Sequence, residues 1–142
     1  MLKRLTLPLV AALLLAGNAF AADQTGTFEK KSFKIKGSWT LTEVDGQQVI
    51  RFNDDFKTKN GPDLKLFLSK KTVDNLSKSP TFDAPLSLGL LDSNKGQQEF
   101  VLPEGVNLDD YESILIHCEA YNKLWGGFDI PEDDAAPAAY GS

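Results

Sequence analysis

Residues 36–52 read KGSWTLTEVDGQQVIRF, and this stretch decides the fold class of the chain. Trp39 and Leu41 alternate with threonines, which is the period-two pattern of a β-strand with one buried face. The dipeptide Asp45-Gly46 comes next, and it favours the positive φ angles that a two-residue hairpin turn requires. The residues after it return as the partner strand. The stretch therefore predicts an antiparallel β-hairpin that places Trp39 and Leu41 in the core.

Similar short segments follow along the chain, and turn-forming residues separate them. Residues 60–63, Asn-Gly-Pro-Asp, predict a tight turn, and Gly126-Gly127 indicates a bulge or bend in the last segment. We expect 86–91 and 97–102 to pair with each other through the loop 92–96. The other predicted strands are 64–69, 113–118 and 124–130.

This succession of short strands predicts an all-β domain, namely an antiparallel β-sandwich of jelly-roll or immunoglobulin-like type. Helical signals are weak, so we expect at most one or two short helical turns, at 72–78 and at 109–111. The sandwich is expected to span 22–130. Residues 131–142 hold alanine, proline and acidic residues with little to bury, so they are expected to form a flexible tail.

The N-terminal residues 1–21 have the three parts of a secretory signal peptide. Lys3 and Arg4 form the positive region, an apolar run follows, and Ala19-Phe20-Ala21 provides a small-x-small cleavage site. Cleavage would leave a chain that begins at Ala22 and has no second apolar run to hold it in a membrane. We therefore expect a periplasmic or secreted protein without membrane insertion.

Length and charge exclude several classes of function. The chain has 142 residues and a formal net charge of −5, which becomes −7 without Lys3 and Arg4. A surface of that sign repels nucleic acid and anionic lipid, so we expect no nucleic-acid partner. A TIM-barrel enzyme needs about 250 residues, which excludes the larger catalytic scaffolds.

The chain contains one cysteine and one histidine, Cys118 and His117, and these counts remove most cofactor chemistry. Blue copper needs two histidines with a cysteine, tetrahedral zinc needs more ligands of both kinds, and c-type haem needs a second cysteine. We therefore expect no metal and no cofactor. A hydrolase is disfavoured too, because the chain lacks a Gly-x-Ser-x-Gly motif and no spacing singles out a carboxylate pair.

Cys118 is the candidate for redox chemistry, because a lone thiol can cycle through a sulfenic acid or a mixed disulfide with a partner. Either route requires thiolate and exposure. The alternative is a buried cysteine that packs as a small hydrophobe, and strand alternation favours it by placing Cys118 beside Ile114 and Ile116. Since neighbours on a strand face opposite sides, we expect His117 to face solvent, where it would tune a redox site only if a bulge turned it.

Three further residues are candidates for shaping a site. Tyr121 and Trp125 flank a turn near Cys118, and they are expected to border a binding groove. Asp63 ends the Asn-Gly-Pro-Asp turn, where its carboxylate is expected to accept backbone N–H bonds. Oxygen-rich side chains nearby leave calcium binding open as an alternative, and they are Asn53, Asp54, Asp55 and Asn60.

Several motifs occur in an order that carries more information than any of them alone. NGPDL at 60–64 and YESILIHC at 111–118 are the most specific. The others are GTF at 26–28, FKIKG at 33–37, RF at 51–52, DF at 55–56, FLS at 67–69, FVLP at 100–103 and Phe128. This order, which spans nearly the whole chain after the signal peptide, resembles the DM13 domain, also called the electron transfer DM13 domain.

The resemblance implies a compact β-sandwich whose characteristic cysteine, here Cys118, does redox work. Family members elsewhere stand beside DOMON and cytochrome b561 modules, which implies electron transfer. Two positions depart from the pattern, because His117 replaces a usual aromatic residue and Ser32-Phe33 replaces a frequent histidine. We expect a redox or electron-transfer accessory protein that acts through Cys118 on an unknown redox or envelope protein. The alternative is a non-catalytic ligand- or protein-binding module with a structural cysteine.

Overall fold

The computed structural model describes residues 22–82 and 85–132. Within them the chain forms two single 3-10 turns, Val73–Asn75 and Leu108–Asp110, and a set of short strands. The strands are β1 (Gln24–Thr27), β2 (Glu29–Lys30), β3 (Ile35–Lys36), β4 (Ser38–Val44), β5 (Gln47–Phe52), β6 (Lys57–Thr58), β7 (Leu64–Ser69), β8 (Leu86–Leu90), β9 (Gln98–Val101), β10 (Ser113–Cys118) and β11 (Lys123–Asp129). The prediction of an all-β fold with short helical turns is confirmed.

Two antiparallel sheets form the layers of the sandwich. The four-stranded sheet has the order β1-β4-β5-β9, and the five-stranded sheet has the order β2-β11-β10-β7-β8. Strands β3 and β6 pair as a separate short ribbon. None of the helical segments in the described ranges is long and apolar enough to cross a membrane. The predicted signal peptide at 1–21, and residues 133–142 of the predicted tail, lie outside the described residues.

The hairpin predicted from 36–52 is the β4-β5 pair, in which Trp39 lies opposite Phe52. Its turn residues, Asp45 and Gly46, have φ angles of 53° and 83°, as a primed two-residue turn requires. Trp39 is buried and stacks on Phe128 of the other sheet, with 4.0 Å between ring centroids and 9° between ring planes. The hairpin therefore supplies the large side chains that join the two layers.

The predicted pairing of 86–91 with 97–102 is wrong, because the two strands belong to different sheets. Strand β8 pairs with β7, whereas β9 pairs with β5. The loop between them crosses from one layer to the other, and buried Gln98 holds it in place. The Gln98 side chain accepts a hydrogen bond from the Asp92 N–H and donates one to the Ser93 carbonyl oxygen. Strand alternation shows which face is buried but does not indicate the pairing partner.

Apolar side chains between the two sheets form the main core. They come from both layers, from the β3-β6 ribbon and from the loops that close the ends. Its buried members are Ile35, Trp39, Leu41, Ile50, Phe52, Phe56, Leu64, Leu66, Leu68, Phe100, Leu102, Leu108, Ile114, Ile116, Cys118, Trp125 and Phe128.

A second core lies on the opposite face of the five-stranded sheet. Its members, Phe67, Val73, Leu76, Leu115 and Leu124, are buried with Phe82 packed against them. Three of these six side chains come from the segment that follows β7, so that segment covers the sheet. Strands β7 and β10 are consequently buried on both faces, which the simple alternation of 64–69 did not indicate.

Gly126 and Gly127 allow β11 to approach its neighbours closely, as predicted for a bulge. The pairing register of β10 with β11 shifts between Ile116 and His117. A Cβ atom added at Gly127 would overlap the carbonyl oxygen of Ile114, and one at Gly126 would overlap the carbonyl oxygen of Glu29. Only glycine therefore lets both neighbouring strands pack at this distance.

Candidate functional site

Cys118 is the last residue of β10 and is fully buried, with 0% of its surface exposed. Its register partners are Leu64 on β7 and Lys123 on β11. Its side chain belongs to the main core together with Ile114 and Ile116, as the alternation of the strand predicted. In this conformation the sulfur has no route to a partner molecule.

His117 is buried as well, so the expectation that it faces solvent is wrong. Only 2% of its surface is exposed, because the second core continues over this part of β10. The rings of Phe82 and Phe67 meet the imidazole edge to face, with centroids 4.8 Å and 5.8 Å away. Its Nδ1 atom has no hydrogen-bond partner among the described residues. The covering segment, rather than the strand pattern, determines the burial of this side chain.

Burial lowers the pKa of the His117 imidazole below its ordinary value, because a charged ring would lose its hydration in this apolar site. The side chain of Asn122 and the carboxylates of Glu119 and Asp63 act in the opposite direction. The ring is therefore neutral near pH 7. Since Cys118 lies on the other face of the same strand, the two side chains do not form a thiol–imidazole pair.

Tyr121 and Trp125 do not border a common groove, contrary to the prediction. Tyr121 is 63% exposed in the turn between β10 and β11, whereas Trp125 is 2% exposed in the main core. The indole Nε1 of Trp125 donates a hydrogen bond to the carbonyl oxygen of Lys59, and its ring packs on Phe33 with centroids 4.4 Å apart. An indole is large and has one polar atom, so a core position with a backbone acceptor satisfies it.

The Asp63 carboxylate does not make the backbone hydrogen bonds that were expected of it within the described residues. One of its oxygens lies 3.9 Å from the Lys65 ammonium, which also contacts Glu119. Nor do the nearby acidic loops converge, since the Asp55 carboxylate accepts hydrogen bonds from the backbone and hydroxyl of Ser38. Across 22–82 and 85–132, no group of three or more His, Cys, Asp or Glu side chains is placed to hold a metal ion.

Two surface hollows were not anticipated from the sequence. One, of about 470 Å³, lies between the β4-β5 turn and residues 102–107. One carboxylate oxygen of Glu43 there has no hydrogen-bond partner within the part of the chain that the structure describes. The other, of about 310 Å³, has Phe33 in its wall and lysines around it. The sequence feature that could have indicated the hollow beside Phe33 is the alternation of lysine with other residues at 34–36 and 57–59.

Comparison with family models matches residues 27–130 to the family described as Electron transfer DM13. The matched region begins in β1 and ends just after β11, so it contains nearly the whole sandwich and both Cys118 and His117. Comparison with curated proteins and with solved structures found no match.

Proposed function

The chain belongs to the DM13 family of electron-transfer domains, and from that premise we propose that it is an exported accessory domain that binds an electron-transfer partner non-covalently. In this proposal Cys118 is a structural residue of the sandwich. The observation that carries it is the complete burial of the Cys118 side chain between the two sheets. A redox thiol has to be at least partly exposed and ionised, and an apolar interior opposes both requirements.

The position of Cys118 in the sheet makes its exposure costly. Strand β10 lies between β11 and β7, and it forms backbone ladders with both. The cysteine side chain points toward the main core, so the sulfur becomes accessible only if the sheets separate or the end of β10 leaves both neighbours. Either event would break native pairings that the thiol chemistry does not restore.

Thiol chemistry through Cys118 is the second candidate, because the cysteine directly precedes the exposed turn at 119–122. If that turn opened, the Cys118 thiolate would attack a disulfide of the partner. One S–S bond would break and one mixed disulfide would form, with the partner's second sulfur leaving as a thiolate. This candidate therefore requires an oxidised partner.

Export is part of the proposal and is supported by the signal-peptide pattern at 1–21. In an oxidising compartment an unprotected thiol would be exposed to disulfide exchange. Burial of Cys118 in the core would protect it there, which is consistent with a structural role.

Disulfide exchange with small probes separates the two candidates. The folded protein is incubated with glutathione disulfide and, as a probe of opposite charge, with cystamine, and the products are measured by intact mass. We expect no adduct in buffer and a stoichiometric adduct in urea, because only unfolding exposes the sulfur. Cys118→Ala is the matched control, because any adduct on this variant would come from a residue other than Cys118. Rapid formation of a Cys118 adduct in the folded state with either probe would overturn the proposal in favour of thiol chemistry.

A further inference from the structure

Five lysines meet on one side of the β3-β6 ribbon and are here called the lysine patch: Lys34, Lys36, Lys57, Lys59 and Lys95. Lys36 lies directly opposite Lys57 in the antiparallel pair, and an isolated bridge places Lys95 opposite Lys57 on its other side. Residues directly opposite each other in a ladder project from the same face. Lys36, Lys57 and Lys95 therefore form a row across three adjacent segments.

The intervening residues show that the lysines face outward. Ile35, which lies between Lys34 and Lys36, is buried. Its register partner Thr58, which lies between Lys57 and Lys59, is buried as well. The Thr58 hydroxyl donates a hydrogen bond to the backbone carbonyl of Lys34, which holds the ribbon in this orientation. All five lysines are exposed.

The charges of the lysine patch are not neutralised within the described part of the chain. Its ammonium groups form no ion pair there, although other basic side chains do. Arg51, for example, lies opposite Glu99 in the β5-β9 ladder and binds its carboxylate at 2.8 Å. Like charges directly opposite each other destabilise a ladder, so this arrangement has a cost that an intramolecular role does not explain.

The hollow beside the patch adds an apolar contact. It measures about 310 Å³ and includes Phe33, over whose ring the Lys59 ammonium lies at 5.6 Å from the centroid. Trp125 supports the Phe33 ring from the core side, with 4.4 Å between centroids. A single apolar side chain of a ligand could pack here while its charged neighbours meet the lysines.

We propose that the lysine patch is the docking surface for an acidic face of a partner protein, which places one apolar side chain in the hollow beside Phe33. This inference rests on the proposed function, because it names the chemistry of the partner that the domain binds. The chain carries a net charge of −5, yet a third of its 15 basic residues lie in this patch. The acidic remainder of the surface therefore repels an acidic partner, whereas the lysine patch attracts it. This difference orients the partner toward the patch as the two proteins approach each other.

The same charge distribution favours a protein over a membrane. A bilayer of anionic lipid is uniformly negative over an area larger than the patch, so the remaining acidic surface of the domain would oppose it. The acidic face of a protein can be limited to the size of the patch.

The test uses a short acidic peptide with a central phenylalanine, the same peptide with a central glycine, and a basic peptide with a central phenylalanine. Binding to the full mature chain is followed by calorimetry and by tryptophan fluorescence at two salt concentrations. We expect the acidic phenylalanine peptide to bind best, and to bind more weakly at the higher salt concentration. Equal binding of the basic peptide, or of the glycine peptide, would overturn the proposal.

A pair of matched triple variants tests the location. Lys36→Gln, Lys57→Gln and Lys95→Gln together should lower the affinity about tenfold or more. The control carries Lys70→Gln, Lys71→Gln and Lys78→Gln, which change the net charge equally at exposed sites outside the patch, and it should stay within about twofold of the wild type. Equal losses in both variants would show that only total charge matters. Urea unfolding of both variants establishes that each is folded before its affinity is measured.

Two competition experiments distinguish the other possible occupants. Inorganic phosphate should not displace the acidic peptide at equal ionic strength, and vesicles rich in anionic lipid should not retain the domain. Displacement by phosphate would identify a small-anion site, and retention by vesicles would identify a membrane surface. Either result overturns the docking proposal.

Failure of this inference and failure of the proposed function give different results. A protected Cys118 without peptide binding would overturn this inference and leave the proposed function standing. A reactive Cys118 with patch-dependent binding would overturn the structural role of Cys118 and leave this inference standing.

Discussion

Acidification should destabilise this domain through His117 before its carboxylates titrate. The pKa of this imidazole is lowered in the folded protein, chiefly by burial against Phe67 and Phe82. In the unfolded chain the ring regains an ordinary pKa of about 6.5. Below that pH the unfolded state therefore binds more protons than the folded state, so the free energy of unfolding falls as the pH falls. Above about pH 7 both states are neutral at this ring, and the contribution disappears.

The size of this effect follows from proton linkage. One group that stays neutral in the folded state changes the stability by up to about 1.4 kcal/mol for each pH unit below the unfolded pKa. Between about pH 7.5 and 5.5 the titration of His117 therefore lowers the free energy of unfolding by up to about 1.4 kcal/mol, which corresponds to a melting temperature lower by up to roughly 6 °C. The decline levels off once the pH falls below the folded pKa.

The measurement is urea unfolding at several pH values, followed by tryptophan fluorescence, for the wild type and for His117→Leu. The leucine variant removes both the His117 titration and the unpaired Nδ1 atom, so its stability should fall less with acidification than that of the wild type and be no lower near neutral pH. Subtracting its profile removes the contribution of Glu29, whose pKa burial raises. Parallel profiles for the two proteins would refute the argument that His117 is buried and neutral.

Other outcomes follow from particular contacts. Gly127→Ala should lower the free energy of unfolding by more than about 3 kcal/mol in urea titrations, because its Cβ would overlap the Ile114 carbonyl. The Cβ of Gly46→Ala would meet no atom of the described residues within 4 Å, so this variant should cost about 1 kcal/mol for its positive φ alone, and equal losses would contradict the steric argument. Cys118→Ser should be less stable than Cys118→Ala in the same titration, because burying an unpaired hydroxyl costs about 1–3 kcal/mol; a serine variant as stable as the wild type would indicate an accessible site. Mass spectrometry of protein from its native host should find a chain that begins at Ala22, and a retained segment 1–21 would contradict export by cleavage.

Local sequence was sufficient to predict the structure of a segment wherever its short pattern is compatible with only one local conformation. The alternation around Trp39, with Asp45-Gly46 after it, has only one way to bury a face and reverse the chain, and the β4-β5 hairpin has that form. The Gly126-Gly127 bulge and the inward direction of Cys118 were predictable for the same reason. The order of motifs in the sequence also identified the family that the comparison found.

Alternation states which residues share a face, but it does not state what covers that face. His117 was expected to face solvent because it alternates with core residues, yet Phe82 and the second core bury it. The cover comes from a segment with weak structural signals of its own, since Val73–Asn75 is a single 3-10 turn. Such a segment is held by what it packs against, so only the assembled structure reveals its position.

The lysine patch depends on the tertiary structure in the same way. Each lysine alone has the sequence context of an ordinary solvated residue, and Lys36, Lys57 and Lys95 are far apart along the chain. Antiparallel pairing of three distant segments puts them side by side. The sequence by itself determined the longer strands and which of their residues share a face, because these follow from neighbours two residues apart. The fold decided which strands pair, which side chains a second layer covers and where the positive charges meet, because these depend on contacts between segments distant in sequence.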